Sequence, residues 1–269
     1  MFRTKGQMAF IEAFCRLAWQ AIDEGKAGEY IIDMDTVADQ VAGSVERPAF
    51  YYTEESQQTK FACSACGGRS DILGISGYCS TCGTRNDLQQ FEEKIAEIRD
   101  RLQSGDIAAY DVVKDAVSAF DSCARAYMKQ LASKVPMTSK RRQRFERMLF
   151  NDVCGCATEV RSAFEIDMLD GLTEGEIAFA TKMFHRRHIY VHNNGEVDER
   201  YLRESGDTGI KLKQVLRETS ENAVRITTLL VKMARNLQRD FHAIFPPEKV
   251  PIEMHNPRKT PRPRGATRP

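Results

Sequence analysis

Residues 173–195 read TEGEIAFATKMFHRRHIYVHNNG, and the fold is read outward from them. Thr173 followed three residues later by Glu176 is a capping-box pattern, in which each side chain satisfies a backbone amide that the first helical turn leaves free. Asn194 and Gly195 tolerate the left-handed conformation found beyond a helix end. Between these two signals the spacing predicts an amphipathic helix. Its last turns hold two guanidinium groups and two imidazoles within seven residues: Arg186, Arg187, His188 and His192. Arg is permanently charged and shaped to grip phosphate oxygens. His exchanges a proton near neutral pH. One residue type binds a phosphodiester and the other can help to break it.

The neighbouring sequence predicts further helices. One pattern runs from about 88 to 102. A second places Val113, Ala116, Val117, Phe120, Cys123, Ala124, Tyr127 and Leu131 on one face and stops before Pro136. A third, from about 139 to 169, starts very basic with Lys140, Arg141, Arg142 and Arg144 and then turns apolar. The last covers about 210 to 245 and is closed by Pro246-Pro247. Residues 87–246 are therefore expected to form an up-and-down helical bundle, and the chain to be mainly α.

Arg187, four intervening residues and His192, with the polar His188 directly after the Arg, resemble the Arg-x4–6-His signature of HEPN domains. The following Asn193-Asn194-Gly195-Glu196-Val197-Asp198 is similar to the turn that follows this signature in bacterial members. The resemblance implies a small all-α bundle that dimerises. It also implies a metal-independent endoribonuclease of the kind found in toxin–antitoxin, abortive-infection and RNA-processing systems, so RNA, a second copy and an antitoxin or defence partner are the implied partners. Arg187 and His192 would be catalytic, with His188 orienting or relaying the proton. Arg186 would contact substrate, Asn193 would contact substrate or cap the helix, and Arg141 and Arg142 would either extend the positive groove shared by the dimer through phosphate contacts or form a solvated helix face. Some HEPN toxins carry a modified Tyr two residues after the motif His. Asn194 stands there in this chain, so that mode of neutralisation is not implied.

Two competing readings of the same residues are open to test. His185, His188 and His192 share a helical face and could hold a metal, although two adjacent Arg would repel it. The run could also be a solvated helix end favoured by the helix dipole. The alternative function is then a non-catalytic dimeric module in which the ribbon described next and a basic tail bind RNA or protein.

Cys63-Ser-Ala-Cys66-Gly and Cys79-Ser-Thr-Cys82-Gly are two near-identical knuckles. Such spacing lets both sulfurs of each knuckle face one ion, and two knuckles complete a tetrahedral thiolate shell. Residues 59–86 thus read as a zinc ribbon with Zn2+ on Cys63, Cys66, Cys79 and Cys82. A four-thiolate shell has no open position, so its role is expected to be structural. Lys60, Arg69 and Arg85 could present charge to RNA or to a partner, while Cys15 and Cys123 are expected in the core, and Cys154-Gly-Cys156 could bind metal or oxidise, although residues two apart on a helix point in different directions.

Residues 1–58 carry a helical pattern over 7–25, a short helix near 35–41 and a strand-like Phe50–Thr53. Residues 247–269 contain five basic residues from Met254 onward and no acid there, and are expected to be a disordered tail. The net charge of +1 argues against a body that coats nucleic acid throughout. No apolar run approaches the ~20 residues that cross a bilayer. Eight cysteines without a secretory signal point to a reducing, cytoplasmic setting.

Overall fold

The computed structural model describes residues 5–24, 32, 34–42 and 59–259. The expected strand at Phe50–Thr53 and the last ten residues lie outside them. The chain forms two compact units, residues 1–60 with 71–75, and residues 61–70 with 76–269. In the first, α1 (Lys5–Asp23) and α2 (Met34–Ala42) bury Phe10, Ala13, Val37, Ala38 and Val41 against one another. Cys15 is exposed on α1 rather than in this core.

The second unit holds the bundle: α3 (Asp87–Ser104), α4 (Ala109–Lys134), α5 (Ser139–Glu146), α6 (Val153–Phe164), α7 (Glu174–His192), α8 (Glu199–Glu204) and α9 (Ser220–Ile244). The central helix α4 packs against α3, α5, α7 and α9. The sequence explains why: Val113, Val117, Phe120, Ala124, Tyr127 and Leu131 recur at helical spacing and all are buried. Phe120 is the hub. Its ring meets Phe91 of α3, Phe150 and Phe184 of α7 edge-on, at centroid distances of 6.1, 6.1 and 6.0 Å. Such geometry sets the electropositive ring edge against the electronegative face. Among the described residues no helix is long and apolar enough to cross a membrane.

The helices depart from the sequence reading at several places. The expected helix over 139–169 is two helices, because Asp152 caps α6 by accepting the Gly155 amide while the Phe150 amide donates to Asp121. Residues 210–219 are not part of the last helix. They run back along the turn after α7, where the Val197 amide donates to Gln214 and the Lys213 amide to Val197, and Thr219 caps α9 afresh. Finally, Pro246-Pro247 ends α9 as expected, yet the chain beyond is not all irregular. α10 (Lys249–Lys259) follows at once, with Pro251 in its first turn, where a missing amide costs little. Its apolar partner is the ribbon.

That ribbon opens with β1 (Thr59–Ala62) paired to β2 (Arg69–Ile72). It is fastened to the bundle by the Tyr78 hydroxyl donating to Gln130 and by Gln238 donating to the Arg85 carbonyl. Arg85 itself is buried in a two-pronged ion pair with Asp87, which removes it from the surface charge expected of the ribbon.

Candidate functional site

The two cysteine knuckles have the same backbone. The Gly67 amide donates to the Cys63 carbonyl and the Gly83 amide to that of Cys79, both at 2.8 Å. The glycines adopt φ of 71° and 75°, a left-handed turn that suits glycine. The amides of Gly68 and Thr81 then point at the sulfurs of Cys66 and Cys79, each at 3.4 Å. All four sulfurs lie within 4.8 Å of one another, with Cys63–Cys82 at 3.8 Å and Cys66–Cys79 at 3.6 Å. A tetrahedral zinc–thiolate shell with bonds of about 2.3 Å has edges of about 3.8 Å. The four close cysteines can therefore hold a metal ion such as zinc. Burial, with the nearby Cys82 and Cys79 sulfurs adding to it, pushes the Cys66 thiol up to about 12. Burial also acts on Cys79, but amide hydrogen bonds from Cys82 and Thr81 outweigh it and bring that thiol down to about 6. Metal entry must accordingly displace protons.

Beneath this site lies α10. Ile252 packs with the cysteine cluster, the Glu248 amide donates to the Cys82 carbonyl at 2.8 Å, and the His255 ring sits over Gly67 so closely that a Cβ there would meet it at 2.6 Å. Sequence reading missed this contact, since nothing in residues 247–255 announces a partner.

The second region is the end of α7. Its capping box is present, with Thr173 accepting the Glu176 amide and Glu176 accepting the Thr173 amide. At the other end Asn194 and Gly195 take φ of 50° and 84°, and the Gly195 amide returns to the Ile189 carbonyl. The chain reverses at the Asn-Gly pair, as the sequence implied.

The adjacent arginines have opposite surroundings. Arg186 is buried, with Nη2 at 2.7 Å from Asp207, Nη1 at 2.9 Å from Glu218 and Nε donating to the Tyr201 hydroxyl. It binds the 201–218 segment to α7, and that double ion pair raises its already high pKa. Expected to touch substrate, it instead spends its donors on the fold. Arg187, half-buried, meets no carboxylate among the described residues. Its Nε and Nη2 both donate to Ser118 Oγ on α4, each at 3.3 Å.

His188 and His192 lie one turn apart with ring centroids 4.6 Å from each other. Burial lowers the pKa of His188, helped by the positive groups His192, Arg200 and Arg187 and opposed by Asp198. His192 is exposed. Asn193 donates to Asp198 Oδ2 at 2.7 Å, so its amide closes the turn. Asp198 also caps α8 by accepting the Tyr201 amide.

Arg141 and Arg142 are exposed on α5. Arg141 lines a groove of about 740 Å3 with Lys140, Arg144, Thr158 and Ser162, and no residue of α7 reaches that groove. The structure thus brings Arg187, His188 and His192 to one helix end and leaves Arg141 and Arg142 elsewhere. Ser118 had no signal in the sequence. Among the described residues, the four cysteines are the group with the geometry of a metal site, and the three histidines of α7 do not form one. No protein family, curated protein or solved structure matches this chain.

Proposed function

We propose that the protein is a metal-independent endoribonuclease of HEPN type, and that its ribbon is a structural zinc site. The observation that supports the first part best is Arg187. A half-buried guanidinium that meets a hydroxyl but no carboxylate is ready to receive an anion, whereas Arg186 one residue earlier is already neutralised by two.

RNA carries its own nucleophile in the ribose 2′-OH. His192, exposed at the helix end, takes the 2′-OH proton as the 2′-oxygen bonds to phosphorus. The 5′-oxygen leaves with its bonding electrons and receives a proton, and the products are a 2′,3′-cyclic phosphate and a 5′-hydroxyl. Arg187 offsets the charge that gathers on the phosphate oxygens. His188, whose pKa burial lowers, relays protons to and from its neighbouring ring. Arg141 and Arg142 serve as outlying phosphate contacts. The family resemblance calls for a homodimer. Exposed Val191, one turn from Arg187 on the same helix face, and exposed Tyr110 supply apolar area for that interface. A cytoplasmic toxin or phage-defence role, with an antitoxin or defence partner, follows from the same resemblance.

Incubating the dimer with RNA in excess EDTA tests this. Wild type should yield 2′,3′-cyclic ends, and folded His192→Ala and Arg187→Ala should each lose activity by about 10²-fold or more. If varied RNAs stay intact with wild type, or all three proteins cut equally, the non-catalytic RNA- or protein-binding module replaces this reading.

A further inference from the structure

Helix α1 is apolar on two faces, and its own unit covers one of them. The inner face, Phe10 and Ala13 with Ala9 and Leu17 beside them, packs with α2. The polar side chains Glu12, Arg16, Gln20 and Asp23 share one narrow sector. On the side away from α2 stand Met8, Ile11, Cys15, Ala18 and Ile22, spaced by three, four, three and four residues. Ala18 is half-buried and the others are exposed. Phe14 and Trp19, also exposed, flank this row on either side.

Alternating steps of three and four make the seam of a coiled coil, so the row fits another helix. We infer that this face of α1 docks antiparallel on the same face of a second copy of the chain.

Three properties of the row favour an identical partner. The first is shape. In an antiparallel register Ile11 meets the partner's Ile22 and Cys15 meets the partner's Ala18. Large pairs then bracket a small centre, and the rings of Phe14 and Trp19 close over it.

The second is charge. The last turn of α1 holds no basic residue and ends on Asp23, with Glu24 next, at the negative end of the helix dipole. An antiparallel partner brings its positive N-terminal end to these carboxylates, whereas a parallel one brings two more acids.

The third is area. At roughly 200 Å2 for a whole large side chain, the exposed fractions of Met8, Ile11, Phe14, Trp19 and Ile22 come to about 500 Å2. Two such faces together remove about 1,000 Å2 from water, the size at which specific interfaces begin. The contact uses none of the residues around Val191 and does not depend on the ribonuclease reading.

Crosslinking tests it. Dilute full-length protein is treated with a short bismaleimide, and the joined peptides are identified by mass spectrometry. Cys15 should join Cys15 of a second copy. Ile11→Lys combined with Ile22→Lys, both at exposed positions, should cut that yield by about tenfold or more with unchanged circular dichroism. Gln20→Lys, in the polar sector of the same helix, should leave it as it is. Absence of the Cys15 product, or an equal yield from the double variant, would overturn the docking face. Ile22→Cys in a Cys15→Ser background should give no product, because the two copies of residue 22 stand about 17 Å apart along an antiparallel pair. A product at residue 22 would make the helices parallel and overturn the arrangement.

Discussion

The ribbon and the end of α7 are built on opposite terms. In the ribbon, four like side chains converge on one point, and each knuckle repeats the other's backbone hydrogen bonds to within a tenth of an ångström or so. At the end of α7, adjacent and chemically identical residues diverge: Arg186 turns inward to two carboxylates and Arg187 meets a hydroxyl on α4. A metal site is defined by local spacing, so its sequence states it. A polar helix end is defined by what the rest of the chain brings to it.

The largest effect should come from breaking convergence. Cys82→Ser removes one thiolate from a shell whose metal binding in comparable small domains amounts to ~10 kcal/mol or more. The variant should lose its metal by elemental analysis and show a much lower melting temperature. Next comes divergence. Arg186→Met leaves Asp207 and Glu218 facing each other without their cation, a loss of about 3–5 kcal/mol in chemical denaturation. Arg187→Met, which strands no acid, should cost well under half of that. Equal losses would erase the distinction between the two arginines.

A finer probe uses the knuckles against each other. Gly67 and Gly83 share a left-handed φ, but a Cβ on Gly67 meets the His255 ring while one on Gly83 meets nothing within 4 Å. Gly83→Ala should cost about 1–2 kcal/mol for its conformation alone. Gly67→Ala should cost more, and the excess should vanish when His255→Ala is added.

The smallest effect is a pH dependence at the joint between ribbon and bundle. His242 on α9 is half-buried, accepts the Arg85 amide on Nε2 and contacts the Phe245 carbonyl through Nδ1. Burial is the main cause that holds its pKa below the ordinary value. The unfolded chain therefore takes up the proton first. Stability should be level above the unfolded pKa of about 6.5 and decline as pH falls from there toward the folded value. His242→Gln should flatten that part of the profile.

These contrasts also explain what was legible. Helix-forming periodicity and caps gave α3, α4, α7 and the body of α9, because burial along one face writes itself into spacing. The break between α5 and α6 was written in Asn151-Asp152, a cap hidden inside an otherwise periodic run. The return segment over 206–219 was masked by apolar Leu212, Val215 and Leu216, which fit a helical spacing although Leu216 is buried against Ile189 and Val197. Among the site residues the cysteines needed no tertiary information. Arg186 did: its partners lie 21 and 32 residues away, and no local pattern distinguishes it from Arg187. The α10 contact was illegible for the same reason, since its partner lies some 170 residues earlier in the chain.

That separation has a consequence for the order of events during synthesis. Cys63 to Cys82 leave the ribosome long before Ile252 and His255 are made. The knuckles can gather an ion early, while their shelter is among the last parts of the protein to arrive. A nascent chain halted before residue 252 would carry a metal centre open to chelators and competing thiols, and finishing translation would close it.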